Sequence, residues 1–195
     1  MSKRLLPLAF LLLAGCATST PQHFYQLPMP QAQASSTGNG PALLLGPLQL
    51  ADYLQRESLV QRRSDQRLDL SPDRRWAGSL QDDIGNLLLA TLANQLHSGN
   101  LALYPDRIGF RADAQLILHI ARLDSGPQQA AVLEARWRLL DAAGQQQAGD
   151  LLRLEQSHDG SLDGQVAAQG QLVERLGERL AAAVKSLPVH NSTRN

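Results

Sequence analysis

One cysteine in 195 residues excludes an internal disulfide, so the stability of this chain must come from its core. Aromatic residues contribute only 4%, which leaves Leu, Val, Ile and Ala to build that core. No charge of one sign dominates, with 18 Lys and Arg facing 18 Asp and Glu. The basic face that nucleic-acid binding demands is missing, and no nucleic-acid partner is expected. Long apolar runs are missing too. The stretch over residues 5–13, broken by Pro7, falls far short of the roughly 20 residues a membrane-crossing helix needs.

Reactive constellations are equally scarce. His23, His97, His119, His158 and His190 fall into no HxxxH, HxH or HExxH spacing, and no second thiol exists to complete a zinc site. A G-x-S-x-G elbow and a phosphate-cradling GxxxxGK loop are also absent. His158 and Asp159, between Ser157 and Ser161, supply the residue types of a hydrolase triad. Sequence neighbours rarely form that spatial arrangement, and a loop ahead of a helix accounts for them more simply. Asp82 and Asp83 could pair as carboxylates, but at a helix start they more simply complement the dipole. The expectation is no catalytic residue, no metal and no cofactor.

What is present begins at the N-terminus. Lys3 and Arg4 form a positive segment, residues 5–13 a short apolar one, and Leu13-Ala14-Gly15-Cys16 places small residues before a thiol. This is the layout of a secretory signal peptide spanning residues 1–15. The ending at Cys16 resembles the lipobox of bacterial lipoproteins. That resemblance implies diacylglycerol on the Cys16 thiol, cleavage just before it, and acylation of the new amino group, with palmitate among the chains. One acyl chain binds a bilayer only marginally, whereas each buried methylene adds about 0.8 kcal/mol, so two or three chains make a lasting anchor. Ala17, rather than Asp, follows the cysteine. In lipoproteins of the enterobacterial type this implies sorting to the outer membrane, with the domain facing the periplasm. Removing 15 of 195 residues leaves 180, and the loss of Lys3 and Arg4 leaves 16 basic against 18 acidic residues. That length suits one domain.

Along the mature chain, residues 16–22 read as a lipidated tether and residues 23–187 as a single domain. Residues 23–27 are a candidate strand ending at Pro28, and residues 28–41, rich in Pro, Gln, Ser and Gly, read as a flexible loop. Strands are expected within 42–50, at 59–63 and at 67–70, the last two joined around Ser64-Asp65-Gln66 as a hairpin. Ser79 and Asp82 fit a helix capping box, after which Leu80, Ile84, Leu87, Leu88, Thr91, Leu92 and Leu96 keep one apolar face at helical period. Ser98-Gly99-Asn100 should end that helix. After a short strand at 101–104, Leu116, Leu118 and Ile120 alternate in one strand. Ala131, Leu133, Ala135, Trp137 and Leu139 alternate in the next, and residues 148–156 complete a meander. A last helix over residues 162–187 carries Val166, Val173, Leu176, Leu180 and Val184 on one stripe. Pro188 stops it, and residues 188–195 are expected to be a disordered tail. The sum is an α+β domain, a mostly antiparallel sheet with two amphipathic helices packed on one side.

Residues 56–75 hold six arginines, Arg56, Arg62, Arg63, Arg67, Arg74 and Arg75, among Glu57, Asp65, Asp69 and Asp73. A solvated hairpin of mixed charge is the plainer reading. The alternative is a contact surface for lipid head groups or a partner protein, because guanidinium forks match phosphate and carboxylate. Trp76 is either an interface anchor or a residue that packs a loop onto the next helix.

Taken in order, the lipobox, Phe24-Tyr25-Gln26-Leu27-Pro28, Asp52-Tyr53-Leu54, Leu59-Val60-Gln61-Arg62, and Trp76-Ala77 ahead of the helix carrying Leu87 to Leu96 resemble the PqiC family, the ABC-type transport auxiliary lipoproteins. The resemblance implies a non-enzymatic subunit at the outer membrane. It would work with a periplasm-spanning MCE-family protein (PqiB-like) and its inner-membrane partner to move lipids between membranes and support membrane integrity. It also implies a homo-oligomeric ring. Tyr53, Arg56 and Trp76 are the candidate partner contacts on this view. A different class shares the anchor and the small domain: an assembly or chaperone lipoprotein for an outer-membrane barrel or export machine.

Overall fold

The structure, a computed structural model, describes residues 21–29 and 40–187. The signal segment 1–15, Cys16, all but the end of the 16–22 tether, most of the 28–41 loop and the 188–195 tail lie outside the described residues.

Among the described residues, eight strands and two helices follow one another as β1 (His23–Tyr25), β2 (Leu43–Leu50), a 3-10 turn (Asp52–Gln55), β3 (Ser58–Ser64), β4 (Arg67–Trp76), α1 (Leu80–Leu96), β5 (Leu101–Leu103), β6 (Ala114–Gly126), β7 (Gln129–Asp141), β8 (Gln146–Gln156) and α2 (Leu162–Lys185). Strand β6 is the spine of a single sheet. Along one edge it pairs with β7, which pairs with β8, both antiparallel, as the alternation and the two turns require. Its other edge is divided. The first half takes β2 and then β5, and the far end meets β3, followed by β4 and β1.

The α+β class is as expected, but the sheet is mixed. Antiparallel ladders join β3 to β4, β6 to β7 and β7 to β8, while β1–β4, β2–β5, β2–β6 and β3–β6 are parallel. The departure has a physical origin. Antiparallel neighbours announce themselves by a short turn, whereas parallel neighbours need a long crossover and are separated in sequence; His23 of β1 thus pairs with Arg74 of β4. Strand β2 also runs further than its apolar core at 43–45. Gly46, at φ +114°, takes a conformation closed to most L side chains, and the register slips between Leu45 and Leu48 so that pairing with β6 resumes.

Both helices lie on one face of the sheet, α2 against β6, β7 and β8, α1 against β2 and β5, and each against the other. Leu116, Leu118 and Ile120 of β6 and Leu133, Ala135 and Leu139 of β7 point into this layer. They meet Ile84, Leu87, Leu88 and Leu92 of α1 and Leu172, Val173, Leu176 and Leu180 of α2. Each fully buried aliphatic side chain contributes about 1.5–3 kcal/mol, which answers the lack of disulfides. Ser79 caps α1 by accepting from the Asp82 amide at 3.2 Å, and Ser161 caps α2 by accepting from the Gly164 amide at 3.0 Å. The first helix closes two residues earlier than Gly99, on His97 in the left-handed conformation.

Candidate functional site

The end of β6 is where the two branches of the sheet meet, and it is unusually polar. Leu123 still faces the core, but Asp124, Ser125 and Gly126 follow it and are buried. Only one residue pair, Gln61 with Ser125, is in ladder register between β3 and β6. Side chains complete the joint. Arg62 grips Asp124 with a fork, Nε to Oδ1 and Nη2 to Oδ2, both at 2.7 Å. The Tyr53 hydroxyl donates to Oδ2 at 2.7 Å, and Arg122 Nε donates to Oδ1 at 3.0 Å.

Asp124 is fully buried at its side chain and would be raised by that desolvation. Hydrogen bonds from Arg62 and Tyr53, with the charges of Arg122 and Arg62, outweigh burial and hold it below the usual carboxylate range. Burial first, and the carboxylate second, push Tyr53 well above an ordinary phenol. The hydrogen bond to Asp124 raises Arg62. With four donors on its two oxygens, Asp124 has its lone pairs committed. It is a joint, fixed in charge and position, rather than a base.

A second polar layer sits on the helix side of the same joint. Gln165 of α2 accepts from Gln61 Nε2 at 3.1 Å and from the Ser125 hydroxyl at 3.3 Å, and donates to the Gly160 carbonyl at 3.0 Å. Gln169 donates to Ser125 Oγ at 3.0 Å. The Ser, His and Asp types around residue 158 belong to the adjoining loop. His158 bonds the Gln129 carbonyl through Nε2 and accepts from the Gly160 amide at Nδ1. Asp159 takes the Ser161 hydroxyl and amide, which lowers it. These side chains form a loop latch and a helix cap, not a relay toward Ser157.

The exposed counterpart is a groove of about 610 Å³. Gln22 and Phe24, Arg56 and Glu57, and Arg75, Trp76 and the start of α1 line it. Strand β1 is held there by its parallel pairing to β4, by the Ala77 amide on the Tyr25 carbonyl at 2.7 Å, and by Gln26, which donates to Asp83 at 3.1 Å. Arg75 pairs with Glu57 at 2.9 Å.

The three residues singled out as contacts do different things. Trp76 is 6% exposed and belongs to the core. Tyr53 is half-buried with its hydroxyl turned onto Asp124. Arg56 is exposed on the groove and makes no ion pair or hydrogen bond among the described residues. Of the other arginines, Arg63 and Arg67 share Asp69 on the exposed hairpin. Arg74 only reaches Asp73 at 4.0 Å. Asp124, Arg122, Gln165 and Gln169 were not legible as site residues. The one signal is a carboxylate placed after the alternation of Leu116, Leu118 and Ile120 breaks, between the register shift at Ile120 and Arg122 and the one at Asp124 and Gly126.

Residues 25–181 match the family profile described as the ABC-type transport auxiliary lipoprotein component. The chain is 33% identical over 108 residues to the intermembrane transport lipoprotein PqiC of Escherichia coli (strain K12), and equally to that of Shigella flexneri. The alignment covers 54% of this chain and 58% of each relative, so it spans little more than half their length. Among solved structures, an uncharacterized protein superposes with a TM-score of 0.70 at 21% identity, covering 85% of this chain and 99% of its own. A protein of Xanthomonas campestris superposes at 0.64 and 16% identity, covering 81% and 91%. At those identities the structural likeness speaks for the fold.

Proposed function

The chain belongs to the ABC-type transport auxiliary lipoproteins, and from that premise we propose that it is the outer-membrane subunit of an MCE-type intermembrane lipid transport system. Cys16 carries the acyl anchor, and the domain faces the periplasm. Copies assemble as a homo-oligomeric ring that receives the periplasm-spanning MCE component and its inner-membrane partner, supporting membrane integrity. The family match across residues 25–181 carries this reading, with the similarity to a protein described as an intermembrane transport lipoprotein beside it.

The site chemistry is compatible with a scaffold. The side chains of Asp124, Arg62, Tyr53 and Gln165 are committed to the joint between the two sheet branches, which suits a supporting platform. Of the three contact residues, Arg56 is presented to another molecule, and Tyr53 and Trp76 set the frame behind it.

Crosslinking in intact cells, followed by solubilisation and purification of the full-length protein, tests the reading. Recovery of an MCE-family protein is the expected result. A β-barrel or export-machine partner in its place would overturn it in favour of an assembly factor. Mass spectrometry of the same sample should find an acylated Cys16 at the N-terminus.

A further inference from the structure

The groove holding Arg56 sits where the chain enters the domain. Gln22, in its lining, lies six residues beyond Cys16, a span of at most about 20 Å even when fully extended. An acylated Cys16 therefore keeps this groove, and no freely chosen face of the domain, close to head groups. Three features suit that position. Phe24, on the terminal strand of its branch, is 62% exposed, although its partner in register, Arg75, is partly buried. The charged lining is two arginines against one glutamate. Glu57 is already held by Arg75, which leaves the exposed Arg56 as the groove's uncommitted charge among the described residues. An apolar ring beside cationic side chains suits a membrane surface, where the ring enters the boundary between head groups and acyl chains and the cation meets phosphate.

We propose that this groove is the bilayer-facing surface of the domain, with Phe24 seated at the boundary between head groups and acyl chains of the membrane that holds the anchor and Arg56 paired to a lipid phosphate. The inference rests on the reading of Cys16 as the acylated residue. It turns Arg56 from a protein contact into a lipid contact and leaves the incoming partner to the faces away from β1. The surface would act as a second membrane signal that fixes the tilt of an anchored domain, since an acyl foot alone leaves orientation free.

Acylation consumes the only thiol of the chain, so a cysteine introduced elsewhere takes a spin label uniquely. The full-length lipoprotein carrying Phe24→Cys is labelled and reconstituted into vesicles of phosphatidylethanolamine and phosphatidylglycerol, beside Leu151→Cys on β8, a 74% exposed position. Collisions with a water-soluble nickel complex should fall severalfold at position 24 relative to position 151, and adding Arg56→Gln should restore much of that access in anionic vesicles. Equal access at the two positions, with the protein floating on its vesicles, overturns the proposal and leaves the anchor standing. Loss of flotation, with an unmodified N-terminus by mass spectrometry, overturns both.

Discussion

Gly126 and Arg62 approach so closely that a Cβ on the glycine would overlap the arginine carbonyl oxygen. The obstacle is backbone, which no rotamer change relieves. Gly126→Ala should force β3 and β6 apart at their one registered contact and cost about 1–3 kcal/mol or more. Gly78→Ala, where nothing stands within 4 Å, should leave stability within about 0.5 kcal/mol. Denaturant midpoints of the two variants check the contrast.

The carboxylate beside that contact should make stability acid-dependent. Asp124 is held below its ordinary value in the folded state, and about 3.9 is expected when unfolded. Its contribution is therefore fully present above about pH 4 and is lost as pH falls through the folded value. Asp124→Asn strands Arg62, whose side chain is 11% exposed, and removing one partner of a buried pair costs roughly 3–5 kcal/mol. Unfolding free energies from pH 7 to pH 3 should show that gap at neutrality and its narrowing in acid. A gap independent of pH would mean that lost packing, not lost charge, is responsible.

Local pattern made some of this legible and not the rest. Helical periodicity at Leu80 to Leu96 and strict alternation at Ala131 to Leu139 each record one face meeting one core, and both elements stand where the pattern put them. The parallel pairings left no such mark, because β1 and β4 are joined by no turn and share only a final register. Among six arginines in one segment, Arg62 reaches the buried carboxylate Asp124, 62 positions away. Its local surroundings resemble those of Arg63, which stays on the hairpin.

The glutamine pair on α2 offers a finer test of the joint. Gln165 satisfies Gln61, Ser125 and the Gly160 carbonyl together. Gln165→Leu strands those groups at about 1–3 kcal/mol for each one left unpaired and buried. Gln169 makes one bond to Ser125 while its buried Oε1 has no partner. Gln169→Leu removes that orphan and should be neutral or stabilising. Thermal melts of the two variants should move in different directions, or at least by clearly different amounts.

Tyr53, Arg56 and Trp76 should separate by mechanism. Trp76→Ala empties part of the core and should cost roughly 3–5 kcal/mol, so any loss of assembly in that variant tracks unfolding. Tyr53→Phe keeps the ring and removes only the hydroxyl held by Asp124, a charge-assisted bond that contributes about 1.5–3 kcal/mol. Arg56→Ala touches no bond among the described residues and should change stability by less than about 0.5 kcal/mol. If Arg56 meets another molecule, that variant keeps its melting temperature while losing membrane registration or complex formation. Measuring both quantities on all three variants distinguishes a contact from its supporting frame, and a destabilised Arg56→Ala would show that the residue is part of the frame.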